Sequence, residues 1–359
     1  MSDDRAGGSS RRAGVKPPAA TFSRDFQPKG SAPKPFRFDE LGARLVAAGF
    51  ADGDTNQAEY LLRHISYQHA SSYFDLFRRD GEVEEDASAY NLNRVMVFDR
   101  KMKSLLLEYI GVFELQFRAQ YSYHMSCEKG AFAHRNPRNF KDMKKFDDFL
   151  DRYESEFNKQ LRQKNAEIAK AFNKYGDAPT WLAVEIMSFG TLSMLYNNTK
   201  SKAVRANVAK SFHAATDEFA SWTRAVSAVR NQCAHFGRLC GRRLVSCPKR
   251  IEGCQEDNTS PFYIFILLMH LLMADEIFED DQSLAYNMQL FGFTSALFTE
   301  FEDVLSMVGI PQNWREAFSN PKVTGLDVGM AVKVANRFRA ITGTFITPVP
   351  PSARRHKTK

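Results

Sequence analysis

Apolar residues recur along this chain at intervals of three and four, the spacing that lines one side of an α-helix. The stretches FDELGARLVAAGF (38–50) and TNQAEYLLRHISY (55–67) carry it, and residues 91–125 continue it without a proline and with one glycine. Residues 141–176 alternate charge signs along a single amphipathic helix that stops at a glycine, so the charges are a solvated face. Beyond DAPT (177–180) the pattern predicts helices over 181–196, near 199–212, over about 217–236, near 262–279 and near 284–308. Period-two alternation is nearly absent, the best strand candidate being RRLVSC (242–247), and no internal repeat emerges. The expected fold class is all-α: one helical domain over 36–320, with its C-terminal helices at about 262–318 and a helical extension over 321–345.

The ends read differently. Residues 1–35 and 346–359 are rich in Gly, Ser, Pro and basic side chains with little to bury, which predicts disordered tails. They also change the meaning of the net charge of +7. Residues 1–37 carry +5 and residues 346–359 carry +4, which leaves the region between them about −2. Any anion site in the folded part is therefore a local patch, while the tails can tether polyanions loosely.

Composition narrows the class further. At 43% hydrophobic and 13% aromatic, the 359 residues can bury a large core. Five cysteines are too few for a disulfide framework and no cleavable apolar leader opens the sequence, so a cytoplasmic location with reduced thiols is expected. The longest apolar run, FYIFILLMHLLMA (262–274), falls short of the ~18–20 residues of a membrane span and contains His270, which predicts a buried helix and no membrane. Paired acidic dyads and Gly-rich phosphate loops are missing, against glycosidases and P-loop enzymes. Cys233, Cys240, Cys247 and Cys254 recur every seven residues without a C-x2-C knuckle, so neither a metal nor a small-molecule cofactor is expected.

Chemistry concentrates in the 217–236 helix. Thr216 is placed to cap it, Asp217 and Glu218 suit its first turn, and Gly237 is placed to end it in a left-handed conformation. Phe219, Trp222, Val226, Val229, Cys233 and Phe236 form a narrow apolar stripe. At ~100° per residue, Arg224, Asn231 and His235 fall within roughly 40° on the opposite face, with Arg230 on the flank. Ser227 and Ala228, beside that face, are small enough to admit another backbone. From Phe219 to Ile251 there is no Asp or Glu, while Arg224, Arg230, Arg238, Arg242, Arg243, Lys249 and Arg250 are all basic. A phosphate-bearing substrate would be drawn there, with Arg224, Arg238, Arg242 and Arg243 as its contacts.

The segment RNQCAHFGRL (230–239), in order with KPFRFDELGARLVAAGF, ISYQHASSY, VFDRKMKSLLLEYIGVFELQFR, PTWLAVEIMSFGTLSMLY and GIPQNWREAF, resembles the Abi-like abortive-infection proteins, a branch of the all-helical HEPN superfamily. That family's hallmark is Arg, a polar residue, three to five residues, then His, matched by Arg230, Asn231 and His235. Arg118 to His124 repeats the Arg-to-His spacing with Ala119 in the polar place; it overlaps the family's Glu-x3-Arg at Glu114 and Arg118 and reads as support of the core. Phe236 stands where members often carry a second His, and Cys240 and Gly241 where they carry Trp-Asn. The resemblance implies a HEPN-like bundle and a phage-defence toxin that cleaves RNA without metal through attack of the ribose 2′-OH. His235 would be the acid or base, Arg230 the stabiliser of phosphorane charge, and Asn231 the group that orients the imidazole or binds phosphate. It also implies a homodimer through the motif helix, with a composite site. The alternative is a non-catalytic module holding a structured noncoding antitoxin RNA in the same groove.

Overall fold

The computed structural model describes residues 33–50, 55–273 and 286–326. Most of the two expected tails and all but the start of the expected 321–345 extension lie outside these residues. Among the described residues the chain forms fourteen α-helices and one two-stranded hairpin, Arg78–Arg79 with Glu82–Val83, so the fold is all-α. RRLVSC is not a strand: it follows the motif helix as irregular chain, and Val245 is 88% exposed.

The spine is α4 (Ala89–Lys129), a 41-residue helix about 60 Å long. Leu92, Val95, Met102, Leu106, Ile110, Phe113, Phe117, Tyr121 and Met125 keep one stripe buried along its length. Ser88 caps it by accepting the Asn91 N–H, and Gly130 ends it with φ 90°. Before it come α1 (Phe38–Ala47), α2 (Thr55–His64) and the short α3 (Tyr67–Ser71). Gly42 lets α1 meet α2 closely, since a Cβ there would lie 3.3 Å from the Glu59 Cβ.

After it, the expected single helix over 141–176 is two helices, α5 (Met143–Arg162) and α6 (Ala166–Tyr175). The chain breaks between them, where Lys164 takes a left-handed φ of 58° and Asn165 caps α6 through the Ile168 N–H. The expected 181–196 helix is likewise divided, into α7 (Thr180–Ile186) and α8 (Phe189–Asn198), because Ser188 caps a new helix by accepting the Thr191 N–H. Then come α9 (Lys202–Lys210) and α10 (Thr216–Ala234), the motif helix. Helices α7, α8, α9 and α10 all pack on α4. At their meeting point Phe113, Phe117, Phe189, Tyr196, Phe212 and Phe219 form a cluster of mostly edge-to-face rings 4.8–6.4 Å apart. Such pairs add about 0.5–1.5 kcal/mol each beyond area burial.

The C-terminal part closes over the other side of the motif helix. All ten residues of α11 (Phe262–Leu271) are buried. The His270 ring lies 5.2 Å from that of Trp222, with its nitrogens at the carbonyls of Val323 (2.8 Å) and His213 (3.3 Å). α12 (Tyr286–Glu300), α13 (Trp314–Phe318) and α14 (Pro321–Thr324) follow, and Phe298 packs against Phe262, Phe265, Trp314 and Phe318. Among the described residues no helix is long and apolar enough to cross a membrane.

Candidate functional site

The motif helix buries Phe219, Trp222, Val226, Val229 and Cys233, as the stripe requires. Its ends differ from expectation. The N-cap is Ala215, whose N–H is taken by the Glu218 carboxylate at 2.9 Å, so Thr216 is the first helical residue. At the other end the left-handed residue is Phe236 (φ 56°), one position before Gly237. The reason is a Schellman closure: Phe236 N–H donates to the Cys233 carbonyl (3.1 Å) and Gly237 N–H to the Gln232 carbonyl (3.0 Å). Gly237 is the residue that passes Gln232, where a Cβ would meet the Gln232 Cγ at 3.3 Å. The turn throws Phe236 off the stripe, leaving it 70% exposed, and sets His235 as the exposed C-cap.

Arg230 and Asn231 lie in the last turns of the helix and His235 at its C-cap, where Asn231 and His235 are exposed and the His235 N–H donates to the Asn231 carbonyl at 3.0 Å. Arg230 is half-buried, its Nη1 3.5 Å from Asn231 Oδ1 and its Nε 3.9 Å from Glu114 on α4. Glu114 also pairs with Arg118, whose guanidinium donates to the Val184 and Met187 carbonyls at the end of α7. Arg118 is thus a buried strut, and Glu114 links it to the motif arginine. With its side chain 40% exposed and its ion pair long, Arg230 is held by at most about 1 kcal/mol and can turn to a phosphate.

The other expected phosphate contacts separate. Arg242 and Arg243 are exposed just beyond the helix end. Arg224 is exposed on the His235 face but about 16 Å nearer the N-terminus, its Nε donating to the Ala220 carbonyl. Arg238 does not fit the expected role. Its side chain is 3% exposed, bonded to Asp75 and to the carbonyls of Ser72 and Cys240, and stacked over the Tyr73 ring at 5.3 Å. An arginine so committed holds the chain and offers nothing to a phosphate. Nor is the acid-free segment one patch, for it doubles back along the helix. Trp222 Nε1 donates to the Lys249 carbonyl (2.8 Å), Lys249 N–H donates to Ser221 Oγ (2.9 Å), and Arg250 is bonded to the Gln255 and Glu256 carbonyls. Ser227 is buried too: a Cβ on Gly190 of α8 would lie 3.4 Å from its Oγ, so its small size serves packing within the chain.

A buried network on α4 fixes this end of the helix. Lys103 pairs with Asp99 at 2.8 Å and donates to the carbonyls of Gly237 (3.2 Å) and Phe236 (3.5 Å), the groups that follow His235. Asp99, fully buried, accepts the backbone N–H groups of Leu239 (3.1 Å) and Cys240 (2.7 Å) and the Tyr73 hydroxyl (2.7 Å). Burial and the adjacent Asp99 push the Tyr73 hydroxyl far up, so it stays a donor. Burial likewise pushes the Cys233 thiol up to about 12 and the Cys240 thiol higher than usual, so both remain protonated. His69, its ring 5.5 Å from that of Tyr73, is held below the ordinary imidazole value by burial and by Lys103. Sequence reasoning passed over Asp99, Lys103 and Tyr73, although a signal existed. Asp99 and Lys103 interrupt the apolar stripe of α4 between Val95 and Leu106, where a charge is expected only if it is paired.

Residues 60–240 match the model of the family described as Abi-like protein. The chain belongs to that family. The matched segment runs from within α2 through the spine and the motif helix to Cys240, so it contains Glu114, Arg118, Arg230, Asn231, His235 and the whole Asp99 network. Membership in the Abi-like family points to abortive infection, a defence against phage. No curated protein and no solved structure matches the chain.

Proposed function

We propose that this Abi-like protein is a phage-defence toxin of the HEPN kind, a metal-independent ribonuclease kept inactive until infection. The observation that carries the reading is that Arg230, Asn231 and the exposed C-cap His235 share the end of one helix, which the Asp99–Lys103 network holds in place. These are the groups that in-line attack of a ribose 2′-OH needs. A base takes the 2′-OH proton as the new O–P bond forms, an acid gives a proton to the departing 5′-oxygen, and a cation offsets the phosphorane charge. His235 is the proton-transfer group, Arg230 faces the equatorial oxygens, and Asn231 orients the imidazole or the phosphate. The products are a 2′,3′-cyclic phosphate and a 5′-hydroxyl. Arg242 and Arg243 beyond the helix end, and Arg224 up its face, bind flanking phosphates.

One motif supplies one imidazole, whereas this chemistry uses a proton-transfer group on each side of the phosphate. A two-fold homodimer through the motif helix supplies the second. Phe236, 70% exposed beside His235, supports it, since a large apolar side chain next to a polar site suits an interface core.

Arg230→Ala and His235→Ala should each abolish cleavage of RNA by purified protein while the melting curve stays near wild type, because neither side chain is buried. Cleavage should continue in EDTA. Activity lost on chelation, or retained in His235→Ala, refutes the assignment. Tight capture of a structured RNA with no cleavage, indifferent to His235→Ala, would put the noncoding-RNA holding module in its place.

A further inference from the structure

A cluster of exposed basic residues lies away from the motif. The segment after α4 and the segment between α8 and α9 are laced together. Lys141 N–H donates to the Asn198 carbonyl (2.9 Å), Lys200 N–H to the Asn139 carbonyl (2.8 Å), and Asp142 N–H to Asn198 Oδ1 (2.9 Å). An isolated bridge between Phe140 and Thr199 completes the seam. Two loops some sixty residues apart in sequence thereby pool their charge. Arg138, Lys141, Lys144, Lys145, Lys200 and Lys202 are all exposed there, and Arg205 lies half-buried behind them. The N-termini of α5 and α9, capped by Asp142 and Ser201, open on the same seam and add their positive dipole ends.

The acids nearby offset only part of this set. Asp142 is occupied by the Lys145 N–H (3.1 Å) and ammonium (3.3 Å), Glu128 by Lys129 and the Ser201 hydroxyl, and Asp217 is one carboxylate near Lys141 and Arg205. Asp147 and Asp148 follow one turn into α5. Burial holds the Lys141 ammonium below the usual lysine value, with the charges of Arg205 and Lys145 adding and Asp217 opposing, and the ammonium donates to the Asn197 carbonyl at 3.2 Å.

The position defines the partner. Ser201 bonds Glu128 near the end of α4, whereas the motif-helix end rests on Lys103. The intervening residues of one continuous helix place the two sites about 38 Å apart along its axis. We infer that the Arg138–Lys145 and Lys200–Arg205 surface is a second phosphate-binding site for RNA, which grips the strand at a distance from His235 and selects long RNA over short. That the gripped strand is one cleaved at His235 rests on the ribonuclease reading; the binding itself does not.

The test replaces Lys144, Lys145, Lys200 and Lys202 with Gln in one variant of the full chain, with circular dichroism as the check of fold. Binding of a long single-stranded RNA is measured across a salt series, and cleavage is measured on that RNA and on a tetranucleotide too short to reach both sites. If all four lysines contact phosphates, the slope of log K against log salt should fall by about 2.8, at about 0.7 for each contact. KM for the long RNA should rise, and tetranucleotide cleavage should match wild type. A wild-type slope in the variant overturns the inference and would assign the surface to an acidic protein. Equal losses on both substrates also overturn it, since they would mean damage at the motif. If the wild type cleaves neither RNA, the ribonuclease reading falls alone, and the salt slope still decides the surface.

Discussion

Asp99 and Lys103 have unequal numbers of partners, and that inequality sets the cost of removing each. Asp99 is fully buried and Lys103 has 5% of its side chain exposed. In Lys103→Met, Asp99 keeps three donors: the Tyr73 hydroxyl, Leu239 N–H and Cys240 N–H. A hydrogen bond to a charged group contributes about 1.5–3 kcal/mol, so the carboxylate stays largely satisfied and the loss should be about 1–3 kcal/mol. In Asp99→Asn, the Lys103 ammonium is left without an anion, holding only the longer contacts to Phe236 and Gly237. The new amide can accept at one atom alone where the carboxylate accepted at two. Stranding one member of a buried pair costs about 3–5 kcal/mol. The double variant Asp99→Asn/Lys103→Met removes the stranded charge and should recover part of that, with a coupling of about 1–3 kcal/mol. Urea unfolding followed by circular dichroism on the four proteins gives all three quantities. Costs that are equal within error, or that add without coupling, would mean that the pair does not act as a unit and that something else holds the motif-helix end.

Two further variants test other parts of the scaffold. His134 is fully buried, and because Thr180 donates its hydroxyl to the Ala131 carbonyl, it accepts from His134 Nδ1–H at 3.0 Å. Burial pulls this imidazole down to about 4, with Asp177 opposing and Arg135 adding. An unfolded imidazole titrates near 6.5, so as pH falls from 6.5 toward 4 the unfolded chain takes up a proton the folded chain refuses. Stability should decline over that window by roughly 3 kcal/mol. His134→Asn keeps a donor for Thr180 but does not titrate, so its urea midpoint should vary less between pH 7.5 and 5; the wild-type pH dependence in the variant would refute the assignment. Gly241 has a φ of 62°, and a Cβ there would run into the Leu76 side chain and the Arg238 guanidinium. Gly241→Ala should cost about 1–3 kcal/mol, read as a lower melting temperature, and an unchanged melt would mean that the Arg238 corner is slack.

What the sequence made legible follows from what each feature depends on. The helices and the buried side of the motif helix depend on spacing within one segment, so Phe219, Trp222, Val226, Val229 and Cys233 could be placed from their intervals. The adjacency of Arg230, Asn231 and His235 is of the same kind. The helix end was misplaced by one residue because a Schellman closure is decided by hydrogen bonds from Phe236 and Gly237, and a phenylalanine took the left-handed position that a glycine would be expected to hold. Charge was read least well, for a run without acids says nothing about where the chain goes next. Arg238 turned inward to Asp75, Lys249 and Arg250 returned to the other end of the helix, and a second cluster of basic residues came from loops that only the fold joins.

The same distinction separates the rigid part of the candidate site from its movable part. The backbone after His235 is held through Lys103 by a carboxylate with no exposure, and such a network resists displacement because each broken contact strands a buried polar group. Arg230, by contrast, is tied to Glu114 over 3.9 Å with two-fifths of its side chain open, an attachment worth at most about 1 kcal/mol. A phosphate need only outbid that weak pair to recruit the guanidinium, while the imidazole beside it stays on a backbone that does not shift. On the ribonuclease reading proposed above, the guanidinium must therefore be drawn into place by the bound phosphate before it can offset phosphorane charge, since electrostatic stabilisation depends on a cation already positioned when that charge develops.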